Sequence, residues 1–218
     1  MSRELKTLLY EQVARVGKSL SSPKRLEMLE LLAQGEKSVE NLAQEMAMNL
    51  KLVSAHLRAL RESRLVEARR EGRFVFYRLA GEDVGRLWAQ LHEVATEHVV
   101  ELQMALQQVI SGPERLTGET RRSLLDKADR GEVLILDVRP GSEYRAAHLP
   151  HARSIPLSEL KRRLGELPLD REIVAYCRGP FCLMSNEAVS LLRAEGFQAR
   201  KISDGVTEWL AAGLPVET

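Results

Sequence analysis

The chain lacks the features that would signal a covalent scaffold, a membrane span or a strong bulk charge. Only two of its 218 residues are cysteine, so there is no disulfide framework to read. No apolar run reaches the roughly 18 residues that a membrane helix needs, and no membrane partner is expected. The first twenty residues include acidic side chains and no apolar stretch before a cleavage site. They predict no secretion signal, and the cytoplasm is the expected location. In that reducing compartment a cysteine pair is more often reactive or redox-active than structural. Net charge is +1, which points to no class of partner. Internal repeats and low-complexity tracts are also missing.

What is present is a soluble, globular composition, 44% hydrophobic and 29% charged. The length fits one large domain or two ordinary ones. Between Lys51 and Arg78 eight basic residues face three acidic ones, a local excess of five. Such a run is either a solvated helix face or a surface for phosphates.

The two halves follow different patterns. Residues 1–110 read as helices with one hairpin around Arg70-Glu71-Gly72. They end in one long helix from about Glu82 to Ile110, with Leu87, Leu91, Val94, Leu102 and Leu106 on one side. Residues 111–118, "SGPERLTG", read as a linker. Residues 119–218 alternate strand and helix. "EVLILDV", "EIVAY" and "ARKI" are the strands, and their continuous apolar runs suit a parallel sheet buried on both faces. The expected fold is therefore a mainly α winged helix-turn-helix followed by an α/β domain.

"NLKLVSAHLRALRES" places Leu50, Val53, Leu57 and Leu60 on one helical stripe. Lys51, Ser54, Arg58 and Arg61 lie within about 80° of one another at 100° per residue. A cationic, hydroxyl-bearing face beside an apolar one, followed by a basic hairpin, is the pattern of a helix in the major groove with a wing on the backbone. Read without DNA, the same module could dock a protein. Its residues resemble the ArsR family of repressors over about 10–80. Ser54-Ala55-His56-Leu57 matches the recognition-helix signature, and the hairpin from Arg70 through Gly72 and Arg73 to Leu79 matches the wing. The resemblance implies a homodimer, formed through the first and last helices, on a double-stranded operator. The DNA-facing residues it implies are Asn49, Lys51, Ser54, Ala55, His56 and Arg58, with Arg69, Arg70 and Arg73 on the wing.

Members of that family often sense metals, but the usual ligand positions are not filled here. Met46 and Met48 stand where a thiol pair would. His92 and His98 lie about 240° apart around their helix and read as interface or surface residues. No metal site and no cofactor are expected.

In the second half Cys177 follows "EIVAY" and precedes a helix, at the carboxyl end of a strand, where open parallel sheets bind ligands. A loop closing on a helix N-terminus favours a thiolate, and Arg178 is a nearby cation. Asp137, Val138, Arg139, Glu143, Tyr144, His148, Leu149 and Pro150, with the closing "GVTEWLAAGLP", resemble a rhodanese domain. The resemblance implies a sulfurtransferase nucleophile at Cys177, carrying a persulfide, with Asp137 and Arg139 holding the fold beside it. The loop departs from that family. It is about two residues longer, with Gly179, Pro180, Phe181, Cys182, Leu183 and Met184 in between, and its end holds Leu183, Met184 and Ser185 where related phosphatases and arsenate reductases need an arginine to clamp an oxyanion. A soft, polarisable ligand suits it better.

Cys182 can attack a persulfide on Cys177 as a resolving thiol. The leading expectation is a DNA-binding repressor whose second domain senses or transfers sulfane sulfur from a small donor. The alternatives are a sulfurtransferase with an accessory DNA-binding half, and a repressor responding to arsenite or another soft, thiophilic ligand at the cysteine pair.

Overall fold

The computed structural model describes residues 3–109 and 118–218. Apart from Gly118, the expected linker lies outside the described residues. Contacts group the chain into two compact units, Met1–Trp88 and Ala89–Thr218.

In the first unit α1 (Arg3–Leu20) and α2 (Pro23–Ala33) lead to a two-residue strand β1 (Lys37–Ser38). Pro23 at the first helical position starts α2 without the loss of a needed N–H. Helix α3 (Val39–Glu45) is capped by Ser38, whose hydroxyl accepts the N–H of Asn41 at 3.1 Å. A tight turn follows, with Ala47 in the left-handed region. Helix α4 (Leu50–Glu62) then begins, and Asn49 Oδ1 caps it by accepting Leu52 N–H at 2.9 Å. Val53, Leu57 and Leu60 of α4 are fully buried with Met28, Leu29 and Leu42. Leu50 does not join them. As the first residue of the helix it sits 50% exposed, beyond the edge of the core.

Strands β2 (Val66–Glu71) and β3 (Phe74–Leu79) form the hairpin, with Glu71 opposite Phe74. Its two-residue turn is therefore Gly72-Arg73, and Gly72 takes φ 58° there. Strand β1 adds antiparallel to β3, giving the order β1-β3-β2.

The expected long helix is interrupted. Helix α5 (Glu82–His98) ends before Val99, and α6 (Val100–Val109) follows. No proline or glycine causes the break. The Gln103 side-chain amide donates to the carbonyls of Thr96 and Glu97, each at 2.9 Å. Those carbonyls would otherwise accept from the next helical turn.

In the second unit α7 (Gly118–Asp129) precedes β4 (Val133–Asp137), α8 (Gly141–Ala146), β5 (Arg153–Ser154) and α9 (Leu157–Leu160). Then come β6 (Glu172–Tyr176), α10 (Met184–Ala194), β7 (Ala199–Lys201) and α11 (Val206–Ala211). The four strands are parallel in the order β5-β4-β6-β7. Side chains of a strand alternate between faces. Ile173, Ala175 and Cys177 pack with Ala188, Val189 and Leu192 of α10. Val174 and Tyr176 pack on the other face with Leu124, Val206 and Trp209. The sheet is thus covered on both faces, as its apolar strands require.

Candidate functional site

The first candidate surface lies on α4 and the hairpin. Asn49, Lys51, Ser54, Ala55 and Arg58 are exposed, and His56 is half-buried. The apolar side of α4 is committed to the core, so this cationic side is the one left to solvent. On the hairpin Arg69, Arg70 and Arg73 are also exposed, but they differ in charge balance. Glu36 holds the Arg69 guanidinium at 2.6 Å, and Glu71 holds it at 2.5 Å. Its pKa is raised by these two carboxylates. Arg73 lies over the Phe74 ring at 4.9 Å, and Arg70 Nε donates to the Gly72 carbonyl at 3.2 Å. Arg73 stands exposed in the two-residue turn at the hairpin tip.

The second candidate is the loop between β6 and α10. Cys177 sits at the carboxyl end of β6 and is 2% exposed, while Cys182 is half-buried. The two are joined as a disulfide, five positions apart in sequence, with Cα atoms 6.3 Å apart. Within the loop Cys182 N–H donates to the Gly179 carbonyl at 3.2 Å.

Arg178 turns away from acting as a loose counter-ion. Its guanidinium meets the buried Glu143 carboxylate of α8 at 2.5 and 3.0 Å. Its charge is thereby largely offset, and it ties the start of the loop to α8. No spacing rule could have paired residues 35 positions apart.

Beneath the loop Asp137 and Arg139 form a fully buried ion pair at 2.6 Å. Asp137 also accepts from Arg139 N–H at 2.9 Å and from Tyr176 Oη at 2.5 Å. Arg139 Nη2 donates on to the Ala147 carbonyl at 2.8 Å. Burial pushes the Tyr176 phenol upward, which keeps it a neutral donor to the carboxylate. Tyr176 immediately precedes Cys177, so this network fixes the strand end on which the thiol sits. Neither Asp137 nor Arg139 is exposed to solvent; both act on the loop through the backbone.

The loop is also held from α11 and α5. A side chain at Gly205 would lie 2.6 Å from the Cys177 carbonyl oxygen, so the backbones touch there. Glu208 accepts the Gly205 N–H at 2.7 Å, and His92 Nε2 donates to Glu208 at 2.9 Å. His92 is buried, and its ring meets Phe181 edge-on, 5.6 Å between centroids. A cavity of about 410 Å³ borders this cluster, with Pro180, His92, Arg121, Asp204 and Glu208 in its wall. Burial raises the Asp204 carboxyl against the opposing pull of Arg121, 2.5 Å away. Gly205 and Glu208 belong to the closing "GVTEWLAAGLP" segment, whereas His92 carries no local signal, because its partner Glu208 is 116 positions away. Among the described residues no group of histidine, cysteine and carboxylate side chains could hold a metal ion.

Both halves of the chain match known protein families. Residues 22–68 match the bacterial regulatory protein, arsR family, and residues 120–212 match the rhodanese-like domain. The HTH-type transcriptional regulator Rv0324 of Mycobacterium tuberculosis is 50% identical over 212 residues, covering 97% of this chain and 93% of its own. The chain belongs to the ArsR family, fused to a rhodanese-like domain. A sulfurtransferase of Allochromatium vinosum is 31% identical to this ArsR-type regulator over 90 residues, 41% of this chain and 82% of that protein. The solved homodimeric winged helix-turn-helix DNA-binding domain, Mb0332 of Mycobacterium bovis, is 52% identical, covering 46% of this chain and 93% of that one, with a TM-score of 0.43. Among the described residues no helix of the regulator is long and apolar enough to cross a membrane.

Proposed function

We propose that this ArsR-type regulator is a homodimeric, DNA-binding repressor that senses sulfane sulfur through its rhodanese-like domain. The observation that carries the reading is the apposition of Cys177 and Cys182. A persulfide on the first can be resolved by the second without rearranging the fold. Loading moves a sulfane sulfur from a small donor, a low-molecular-weight persulfide or thiosulfate, onto the Cys177 thiolate. The donor's S–S bond breaks and its thiolate or sulfite leaves. Resolution follows when the Cys182 thiolate attacks Cys177 Sγ. The bond to the outer sulfur breaks, hydrosulfide departs with the electron pair, and the two thiols end as a disulfide.

Dimer formation is supported by apolar side chains left outside the cores. Leu8 and Val13 of α1 and Val94 of α5 are exposed, a pattern that marks association surfaces in soluble chains. For DNA we assign Asn49, Lys51, Ser54, Ala55, His56 and Arg58 to the groove and Arg69, Arg70 and Arg73 to the wing. The relative named as a sulfurtransferase supports a second reading, a turnover enzyme that uses the DNA-binding half for location.

Treatment with sodium tetrasulfide separates these readings. Intact mass should show lasting sulfur on Cys182→Ser, where the persulfide is longer-lived, none on Cys177→Ser, and on the parent a transient gain that gives way to the loss of two hydrogens as the disulfide closes. A gel shift, on a duplex selected by the reduced protein from a random library, should show the parent's affinity fall. Sulfur gained by Cys177→Ser but not by Cys182→Ser reverses the assignment of nucleophile. Loading with unchanged DNA affinity favours the sulfurtransferase. Mass gain from arsenite, with none from tetrasulfide, favours the soft-ligand receptor.

A further inference from the structure

The cysteine loop is gripped on two sides by side chains that the thiol chemistry does not use. On one side Gly205 lies against the Cys177 carbonyl. Glu208, which accepts the Gly205 N–H, also places both carboxylate oxygens 3.1 Å from the point where a Cβ of Gly179 would stand. On the other side the His92 ring meets Phe181, the residue next to Cys182. His92 and Glu208 are joined at 2.9 Å, 116 positions apart in sequence. His92 lies on α5, the helix whose first turns place Val84 in the core of the first unit. One buried hydrogen bond therefore connects the backing of the thiol loop to α5.

We propose that His92 and Glu208 are a latch over the Cys177–Cys182 loop, through which α5 registers whether the two sulfurs are bonded. This rests on the thiol reading above. With the bond closed, Phe181 belongs to a short covalent ring and is held against His92. Opening the bond, by a low-molecular-weight thiol that leaves as its own disulfide, returns both cysteines to thiols and frees Phe181 from that ring. A sulfane sulfur resident on Cys177 likewise keeps the bond from closing. In either open state His92 loses a fixed ring contact, and the Glu208 carboxylate loses the rigid loop beneath it. Both are positioning residues, since neither touches a reacting sulfur.

Amide hydrogen exchange on the full-length protein, followed by mass spectrometry, tests the latch. The protein is closed with diamide, an azo oxidant, or opened with a phosphine reductant. The parent should show about threefold faster exchange over residues 89–98 in the open state, as expected for a local loss of packing. His92→Ala should exchange rapidly in both states, and His92→Gln, which keeps an N–H donor, should retain part of the difference. Phe181→Ser removes the ring from a half-buried position and should also abolish the difference, which guards against poor folding of the His92 variants. Equal exchange in the two states of the parent overturns the latch, as does the parent's full difference persisting in both His92→Ala and Phe181→Ser. The gel shift with sodium tetrasulfide separates this from the sensing reading. An exchange difference without a change in DNA affinity supports the latch and overturns sensing. A change in affinity without an exchange difference does the reverse.

Discussion

Replacing Arg139 by Met probes the scaffold beneath the loop directly. Asp137 and Arg139 are both wholly buried and 2.6 Å apart. The substitution removes the guanidinium donors to Asp137 and leaves that carboxylate with Arg139 N–H and Tyr176 Oη. Removing one partner of a buried pair costs about 3–5 kcal/mol, because the surviving charge stays uncompensated in the interior. Against a domain stability of about 5–15 kcal/mol, that is a large share. For a unit of this size it corresponds to a drop in Tm on the order of 10–20 °C. Trp209, fully buried in the same unit, reports the transition by fluorescence in a Trp88→Phe background. The pair variant Asp137→Leu/Arg139→Met should recover part of the loss, since no bare carboxylate remains. A loss below about 1 kcal/mol for Arg139→Met, or a pair variant at least as unstable, would refute the claim that the pair supports the strand end.

Arg73→Ala should weaken DNA binding and lower the salt-dependence slope by about one unit. Arg69→Ala should lower it less, because Glu36 and Glu71 already offset that charge; equal effects in a salt titration would contradict this ordering. Burial pulls the Lys201 ammonium down to about 8. Between pH 8 and the ordinary lysine range the unfolded chain therefore binds more protons, and stability rises with pH. Lys201→Met should be the more stable protein at pH 7, with the gap narrowing toward pH 10 in urea melts. A gap that is constant with pH would remove the assignment. Gly179 takes φ 145° with Glu208 oxygens 3.1 Å from the absent Cβ, so Gly179→Ala should slow closure of the Cys177–Cys182 bond. Quenched-flow alkylation after tetrasulfide treatment measures that rate, and an unchanged rate would show that the loop tolerates the side chain.

Periodicity served well where a segment buries one continuous face. The stripe Val53, Leu57, Leu60 and the apolar runs of β4 and β6 signalled their surroundings locally. What escaped was determined by partners far along the chain. Strand β1 exists only because Lys37 and Ser38 pair with Tyr77 and Phe76. The end of α5 depends on one side-chain amide, that of Gln103, which no propensity scale registers. At the thiol site both cysteines and the Asp137–Arg139 motif were legible from residue type and family pattern. The pairing of Arg178 with Glu143 was not, nor was the burial of His92 against Glu208. Charge in a sequence does not announce its counter-ion.

The alternation along β6 has an evolutionary corollary. Cys177 shares its face with Ile173 and Ala175, while Val174 and Tyr176 serve the opposite core. Inserting or deleting a single codon within β6 would invert that order. The thiol would turn toward Trp209, and the phenol that binds Asp137 would point away from it. A change of length in the loop after Cys177 leaves that order intact, whereas a change within the strand before it does not.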